Sequence, residues 1–371
     1  MLKLQALPAN EGDCLVIEYG DASDPFRILI DGGRATTYRM HLKPWLEALP
    51  QGRRRLDLFV VTHIDRDHIE GALCLAKDSA LEIDVRDIWF NGWFHLDGGQ
   101  VPDPQTIRVL APRAGEALSR AIFDRKWPWN AAFDRGPVSI GSGEPIVRPL
   151  PGGARLRLLS PDAQKLAALQ PTWESECRRA GLIPGALTPL SPRRGGTPSP
   201  GARAGADLQQ MASRASPIDG GLPNGTSIAF VFEYEDRKIL FAADSHPGIL
   251  IASLKAHYGD DPVPLDLFKV SHHGSQGNVT QDLCSALACN EALISTNGDM
   301  FAHPDEEAVA RLVLSLRGSR RLHFNYCSSI TRSWADADLA AQWRYEPTYP
   351  ETSRQGWCVL NFDAAGVTRS P

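Results

Sequence analysis

The fold turns on eleven consecutive residues, Leu58-Phe59-Val60-Val61-Thr62-His63-Ile64-Asp65-Arg66-Asp67-His68. An apolar run with the look of a buried strand passes straight into four ligand-type side chains within six positions, and residues 69–76 then take up helical spacing. At a strand end leading into a helix, such a block gathers imidazoles and carboxylates at one point, where a divalent cation offsets the crowding of like charges. Without a cation, Asp65 and Asp67 would repel one another. His and Asp also serve as helix caps and turn residues, but four of them in six positions weigh towards a metal.

Working outward, residues 2–7, 14–19 and 26–30 read as strands, 41–49 as a helix ended by Pro50, and 85–90 as a further strand. Past the middle of the chain, residues 155–159, 227–234, 238–243, 265–270, 292–296, 321–326 and 356–362 read as strands, with helices at 163–180 and 305–316. Strand and helix alternation of this kind predicts a mixed α/β core with helices outside the sheets. Ligand-type residues recur at strand ends. Asp244 closes one strand, His272 and His273 open the turn Gly274-Ser275-Gln276-Gly277-Asn278 after another, and His303 follows a third. Their repetition at one end of successive strands is what a two-metal site requires.

Two segments differ from the rest. Residues 91–153 carry Phe123, Trp127, Trp129 and Phe133 among Arg120, Arg125, Lys126 and Arg135. They read as an inserted subdomain with its own small core, and base stacking is the alternative. Residues 184–221 lack aromatics and are dominated by Pro, Gly, Ala, Ser and Arg, which predicts a disordered internal loop open to trypsin-like cleavage at Arg193, Arg194, Arg203 or Arg214. The chain is otherwise expected to be one domain over 1–371.

Composition limits the partners. Lys and Arg number 39 against 44 Asp and Glu, a net charge of −5, which argues against broad nonspecific nucleic-acid binding but leaves room for a local site whose positive charge comes from ions. Seven cysteines without a Cys-x-x-Cys pair read as reduced thiols. The start, MLKLQALPANEGDC, lacks a secretion signal, and no apolar run approaches a membrane span, so a cytoplasmic chain without membrane contact is expected. Gly-x-Ser-x-Gly, phosphate-loop and His-Glu-x-x-His signatures are missing.

The chain resembles the metallo-β-lactamase fold superfamily, and within it the extramembrane hydrolase domain of the ComEC-type DNA-uptake proteins and its stand-alone relatives. The likeness rests on Glu11-Gly12-Asp13-Cys14, Leu29-Ile30-Asp31-Gly32-Gly33, Thr62 to Gly71, Leu158-Leu159-Ser160-Pro161, Asn224 with the hairpin up to Asp244, Lys269-Val270-Ser271-His272-His273-Gly274-Ser275 and Ala302-His303-Pro304. It implies a four-layer αββα sandwich and two divalent ions, zinc or manganese. By the same resemblance His63 and Asp65 would hold one ion, Asp67 and His68 the second, and Asp244 both, with His272 or His303 completing the second site. Asp31 would orient the ligand loop from behind. The family's usual mid-chain histidine has no clear counterpart, and His95 is the only histidine between His68 and His246.

The expected chemistry is hydrolysis by a metal-activated water, with Asp67 positioning or deprotonating it, His273 donating to substrate, and Ser275 and Asn278 holding a phosphate. The leading expectation is a phosphodiesterase, most specifically a DNA nuclease in nucleic-acid turnover or defence against foreign DNA; the internal loop reads first as a passive linker, with activation by a protease cutting it as the alternative. A small-molecule hydrolase for a cyclic nucleotide, thioester or lactone, lidded by residues 91–153, is the second expectation. A metal-binding scaffold without turnover is the third.

Overall fold

The computed structural model describes residues 1–100, 114–179, 207–318, 320–364 and 366–370. Two sheets face one another. The first has seven strands in the order Gly366–Ser370, Cys358–Asp363, Leu2–Ala6, Leu15–Tyr19, Phe26–Ile30, Leu58–Val60, Ile88–Trp89. It is antiparallel up to Phe26–Ile30, and the last two strands join in parallel. The second has eight, ordered Glu346–Thr348, Arg321–Phe324, Leu287–Ile294, Val263–Lys269, Arg237–Phe241, Ala229–Tyr234, Arg155–Ser160, Val147–Pro149. Its first five strands run parallel and the remainder antiparallel.

Successive side chains of a strand point to opposite faces, so neighbours in sequence enter different cores. Ile17 and Ile28 meet Phe230, Phe232, Ile239 and Leu267 between the sheets. Val16 and Leu29 point outward instead, onto Ile69, Ala72 and Leu75 of helix Arg66–Lys77. On the far side Val231, Leu240 and Phe268 pack against Leu250 and Leu254 of helix Pro247–Tyr258 and against Val309, Leu312 and Val313 of helix Glu306–Ser315. Three apolar layers separate four structural layers, the expected αββα sandwich. Strands covered on both faces read as continuous apolar runs, which is why the sequence shows most of them.

Two expectations are corrected. Trp127 and Trp129 do not form a separate core. They are buried in the same apolar cluster as Phe59 and Ile69, beside Leu118 and Ile122 of helix Ala114–Arg125, so their faces are closed to bases. The loop expected over 184–221 is ordered in its last part: Asp207 caps helix Leu208–Ala212 by accepting from the N–H groups of Gln209 and Gln210, and Leu208, Met211 and Ala212 join the outer core. Arg214 pairs with Glu307 there. Residues 184–206, with Arg193, Arg194 and Arg203, lie outside the described residues. The seven cysteines are free thiols, and no helix among the described residues is long and apolar enough to cross a membrane.

Candidate metal centre

Strands Leu58–Val60, Val263–Lys269 and Leu287–Ile294 end at one edge of the sandwich, and the loops leaving those ends build the site. Asp31, in the left-handed region at φ +58°, organises the first part. Its Oδ1 accepts from the Thr62 N–H at 2.8 Å. Its Oδ2 accepts from the Thr62 hydroxyl and from His68 Nδ1, both at 2.8 Å. Having donated to Asp31, the Thr62 hydroxyl accepts from His63 Nδ1 at 3.0 Å. On the opposite bank His272 and His273 are both left-handed, at φ +44° and +53°, a costly pair that turns His273 inward so that its Nδ1 donates to the Ser295 carbonyl at 2.9 Å. All three imidazoles thereby carry their proton on Nδ1 and present a bare Nε2.

Those nitrogens converge. His63, His68 and Asp244 form one buried group and Asp67, His68 and His273 a second, the ligand atoms of each lying within 4.8 Å of one another. Asp244 Oδ2 stands 3.7 Å from His63 Nε2 and 3.4 Å from His68 Nε2. Asp67 Oδ2 stands 3.7 Å from His68 Nε2 and from His273 Nε2, and the latter two nitrogens are 3.2 Å apart. Lone pairs facing lone pairs and carboxylates, with His63 Nε2 and Asp244 Oδ1 buried without a hydrogen-bond partner, form a cradle that cations complete.

The electrostatics agree with the geometry. Burial opposes charge on Asp244, but His272, His68 and His273 outweigh it and hold the carboxyl well below its ordinary value. Burial likewise opposes charge on Asp67, where His68 and His273 prevail in lowering its pKa. Burial disfavours a charged His68, yet Asp244, Asp31 and Asp67 raise it well above the ordinary imidazole value, so with no cation in place its Nε2 takes up a proton that a metal ion would displace. Burial keeps His273 neutral by lowering its pKa.

Several predicted residues fall elsewhere. The Asp65 side chain is 43% exposed, with Oδ2 3.7 Å from His63 Nε2, at the mouth rather than within either group. His272 Nε2 lies 3.6 Å from Asp244 Oδ2, at the margin. His303 rests on Asp305, with a ring 5.5 Å from that of His272, outside both groups. His273 is corrected from a substrate-facing donor to a member of the second group, because Ser295 engages its other nitrogen. Asn278 is corrected from phosphate binding. It is fully buried, with its amide donating to Asp219 Oδ2 and to the carbonyls of Asp244 and Ser245, and its Oδ1 accepting from His272 Nδ1 at 2.9 Å. The half-buried Ser275 hydroxyl accepts the Gly277 N–H at 3.3 Å. His95 is buried away from the cluster, accepting from the Gly92 N–H and donating to the Arg135 carbonyl, and burial lowers its pKa to about 4.

Two supporting residues were not assigned from sequence. Asp219, inside the segment read as disordered, accepts from Gly221 N–H and Asn224 Nδ2 at 2.8 Å, and its Oδ2 lies 3.5 Å from His272 Nδ1. The turn signal Asp219-Gly220-Gly221 just before a strand was its only trace. Asp13 forms a buried pair through Oδ2 with Lys269 at 2.7 Å, and its Oδ1 lies 4.0 Å from His273 Nδ1. Burial opposes charge on Asp13, but Lys269 and His273 outweigh it.

The Metallo-beta-lactamase superfamily model matches residues 8–298, and the chain belongs to that superfamily. No curated protein matches the chain significantly. Among solved structures it is similar to a provisionally assigned metal-dependent hydrolase from Parabacteroides distasonis, at 10% identity and TM-score 0.36, covering 94% of each chain. It is also similar to CmlA, a diiron β-hydroxylase from Streptomyces venezuelae, at 12% identity and TM-score 0.37, covering 94% of this chain and 53% of that one. The metallo-beta-lactamase fold protein YhfI from Bacillus subtilis aligns at 8% identity and TM-score 0.33, covering 95% of this chain and 98% of that one.

Proposed function

We propose that this superfamily hydrolase is a phosphodiesterase that cuts DNA, with two divalent ions, zinc or manganese. The observation that carries the reading is the pair of ligand groups sharing His68 and opening to solvent past Asp65. His63, His68 and Asp244 would hold one ion, and Asp67 and His273, beside His68, the other. Ions held there would lower the pKa of a water and stabilise an anionic transition state. Asp67, on the solvent side of the cluster, is the carboxylate placed to take a proton from an entering water. His272, whose Nε2 lies 3.6 Å from Asp244 Oδ2, stands at the margin of the cluster, where it would complete the ligand set or face the leaving oxygen. Asp31 and Ser295 hold the rings in their working orientation.

The carboxylates Asp67 and Asp244, hard oxygen donors, suit manganese as well as zinc, and two such ions would stabilise the anionic transition state of phosphodiester cleavage. DNA is favoured by the resemblance to the ComEC-type branch. A small-molecule hydrolase would use residues 91–153 as a lid, whereas helix Ala114–Arg125 and the two tryptophans pack into the core. Cytoplasmic action on foreign or spent DNA, switched on by proteolysis at Arg193, Arg194 or Arg203, completes the proposal. The test is cutting of single-stranded, double-stranded and supercoiled DNA by metal-stripped protein refilled with manganese or zinc, intact and after loop cleavage. Cutting that is lost in Asp67→Asn/His68→Ala supports the reading; two bound ions without cutting in any state overturn it.

A further inference from the structure

Among the described residues five large apolar side chains are exposed, Met1, Met40, Ile218, Leu222 and Phe301. Two of the five, Ile218 and Leu222, flank Asp219 in sequence, and a third, Phe301, is joined to His272 through the ring of His303. Asp219 stands beside His272, with Ile218 directly before it at 62% exposure and Leu222 three residues on at 40%. The His303 ring lies 5.5 Å from His272, and the Phe301 ring, 55% exposed, lies 6.2 Å from His303 at an angle of 31°. Water-facing apolar groups gathered at the mouth of a polar site mark a place where something binds.

Their backbone is held. Arg311, buried under the strap that carries Ile218, donates to the carbonyls of Ala212, Arg214, Gln276 and Val279 and to the Ser216 hydroxyl. The Phe301 loop is closed by the Ala302 N–H donating to the Gly298 carbonyl at 3.0 Å, with Gly298 at φ +80° against the His303 carbonyl, where a Cβ would come within 2.8 Å. These side chains are presented to solvent by fixed turns.

We propose that Phe301, exposed beside His303 and His272, is the specificity surface on which a nucleobase adjoining the scissile phosphodiester stacks. The inference rests on the phosphodiesterase reading and names the substrate group that the site recognises. A flat π face fits an aromatic base of any sequence, and the imidazoles of His303 and His272 next to it are polar partners for the adjoining backbone. A protein partner would instead bury those polar groups against apolar surface at a cost.

The test compares a short single-stranded DNA with the same oligomer lacking its bases. Equilibrium affinity for the metal-loaded protein and hydrolysis of both are measured in wild type, Phe301→Ala and Phe301→Trp. The base-bearing oligomer should bind about tenfold or more tightly than the abasic one. Phe301→Ala should abolish that ratio and Phe301→Trp should keep it. Equal affinity in wild type, or an undiminished ratio in Phe301→Ala, overturns the proposal. So does a Phe301-dependent dimer in sedimentation without base preference. A base preference that persists without any cutting leaves the stacking surface standing and removes the phosphodiesterase reading instead.

Discussion

Replacing Gly71 by alanine should loosen the metal centre from behind. Gly71 lies in helix Arg66–Lys77, which carries Asp67 and His68, and a Cβ built there would sit 1.9 Å from the Gly32 carbonyl oxygen and 2.6 Å from its carbon. Ordinary contact begins at 3.4 Å, so helix and loop must separate by about 1.5 Å. The same seam holds the bonds from Gly32 N–H to the His68 carbonyl at 2.9 Å and from Gly71 N–H to the Gly33 carbonyl at 2.8 Å. Asp31, next to Gly32, accepts from His68 Nδ1 at 2.8 Å, and a shift of that size takes this bond beyond hydrogen-bonding range. The overpacking should cost about 1–3 kcal/mol of stability. Loss of the carboxylate behind the imidazole should weaken metal binding by about 10–100-fold. Urea unfolding of metal-free protein reads the first, and titration against a chromophoric chelator the second. Gly248→Ala, whose Cβ meets nothing within 4 Å, is the matched control and should be neutral or slightly stabilising. If Gly71→Ala unfolds at the wild-type urea midpoint and binds metal as tightly, the docking argument fails.

Asp31→Ala should lower metal affinity by about 10–100-fold while the chain stays folded, because it frees the His68 ring to rotate; unchanged affinity in the chelator titration would remove Asp31 from the site. Lys269→Met should destabilise by about 3–5 kcal/mol, since it leaves Asp13 charged and buried, and the Asp13→Asn/Lys269→Met pair should recover part of the loss in urea melts. His95 has a folded pKa of about 4, below the ordinary imidazole value of 6.5, so the unfolded chain binds the extra proton as pH falls between them. Stability should therefore decline by up to about 3 kcal/mol from pH 7 to pH 4, and His95→Gln should flatten that slope in chemical denaturation.

The strands were legible because those with both faces covered are nearly continuous apolar runs, as at 58–61 and 229–232. The edge strands Val147–Pro149 and Glu346–Thr348 were not, since strands only three residues long at sheet edges carry no such run. The tryptophans at 127 and 129 were placed in a core of their own because spacing cannot tell which core an aromatic enters. Residues 207–221 looked disordered for a related reason. Three apolar side chains in that stretch, Leu208, Met211 and Ala212, suffice only because helix Glu306–Ser315 and Arg311 stand ready to receive them.

What the sequence determined by itself was a strand running into a dense block of imidazoles and carboxylates, and hence an α/β metal-site fold. Neighbouring residues at a strand end share a location whatever the rest of the chain does. What only the tertiary structure decided was the direction of each ring: that His273 rather than His303 joins Asp67 and His68, that Asn278 is spent on the ligands, and that Asp219 stands behind His272. Those choices depend on backbone dihedrals and on hydrogen bonds between residues as far apart as His68 and His273. Local sequence does not encode such contacts, and packing of the two sheets does.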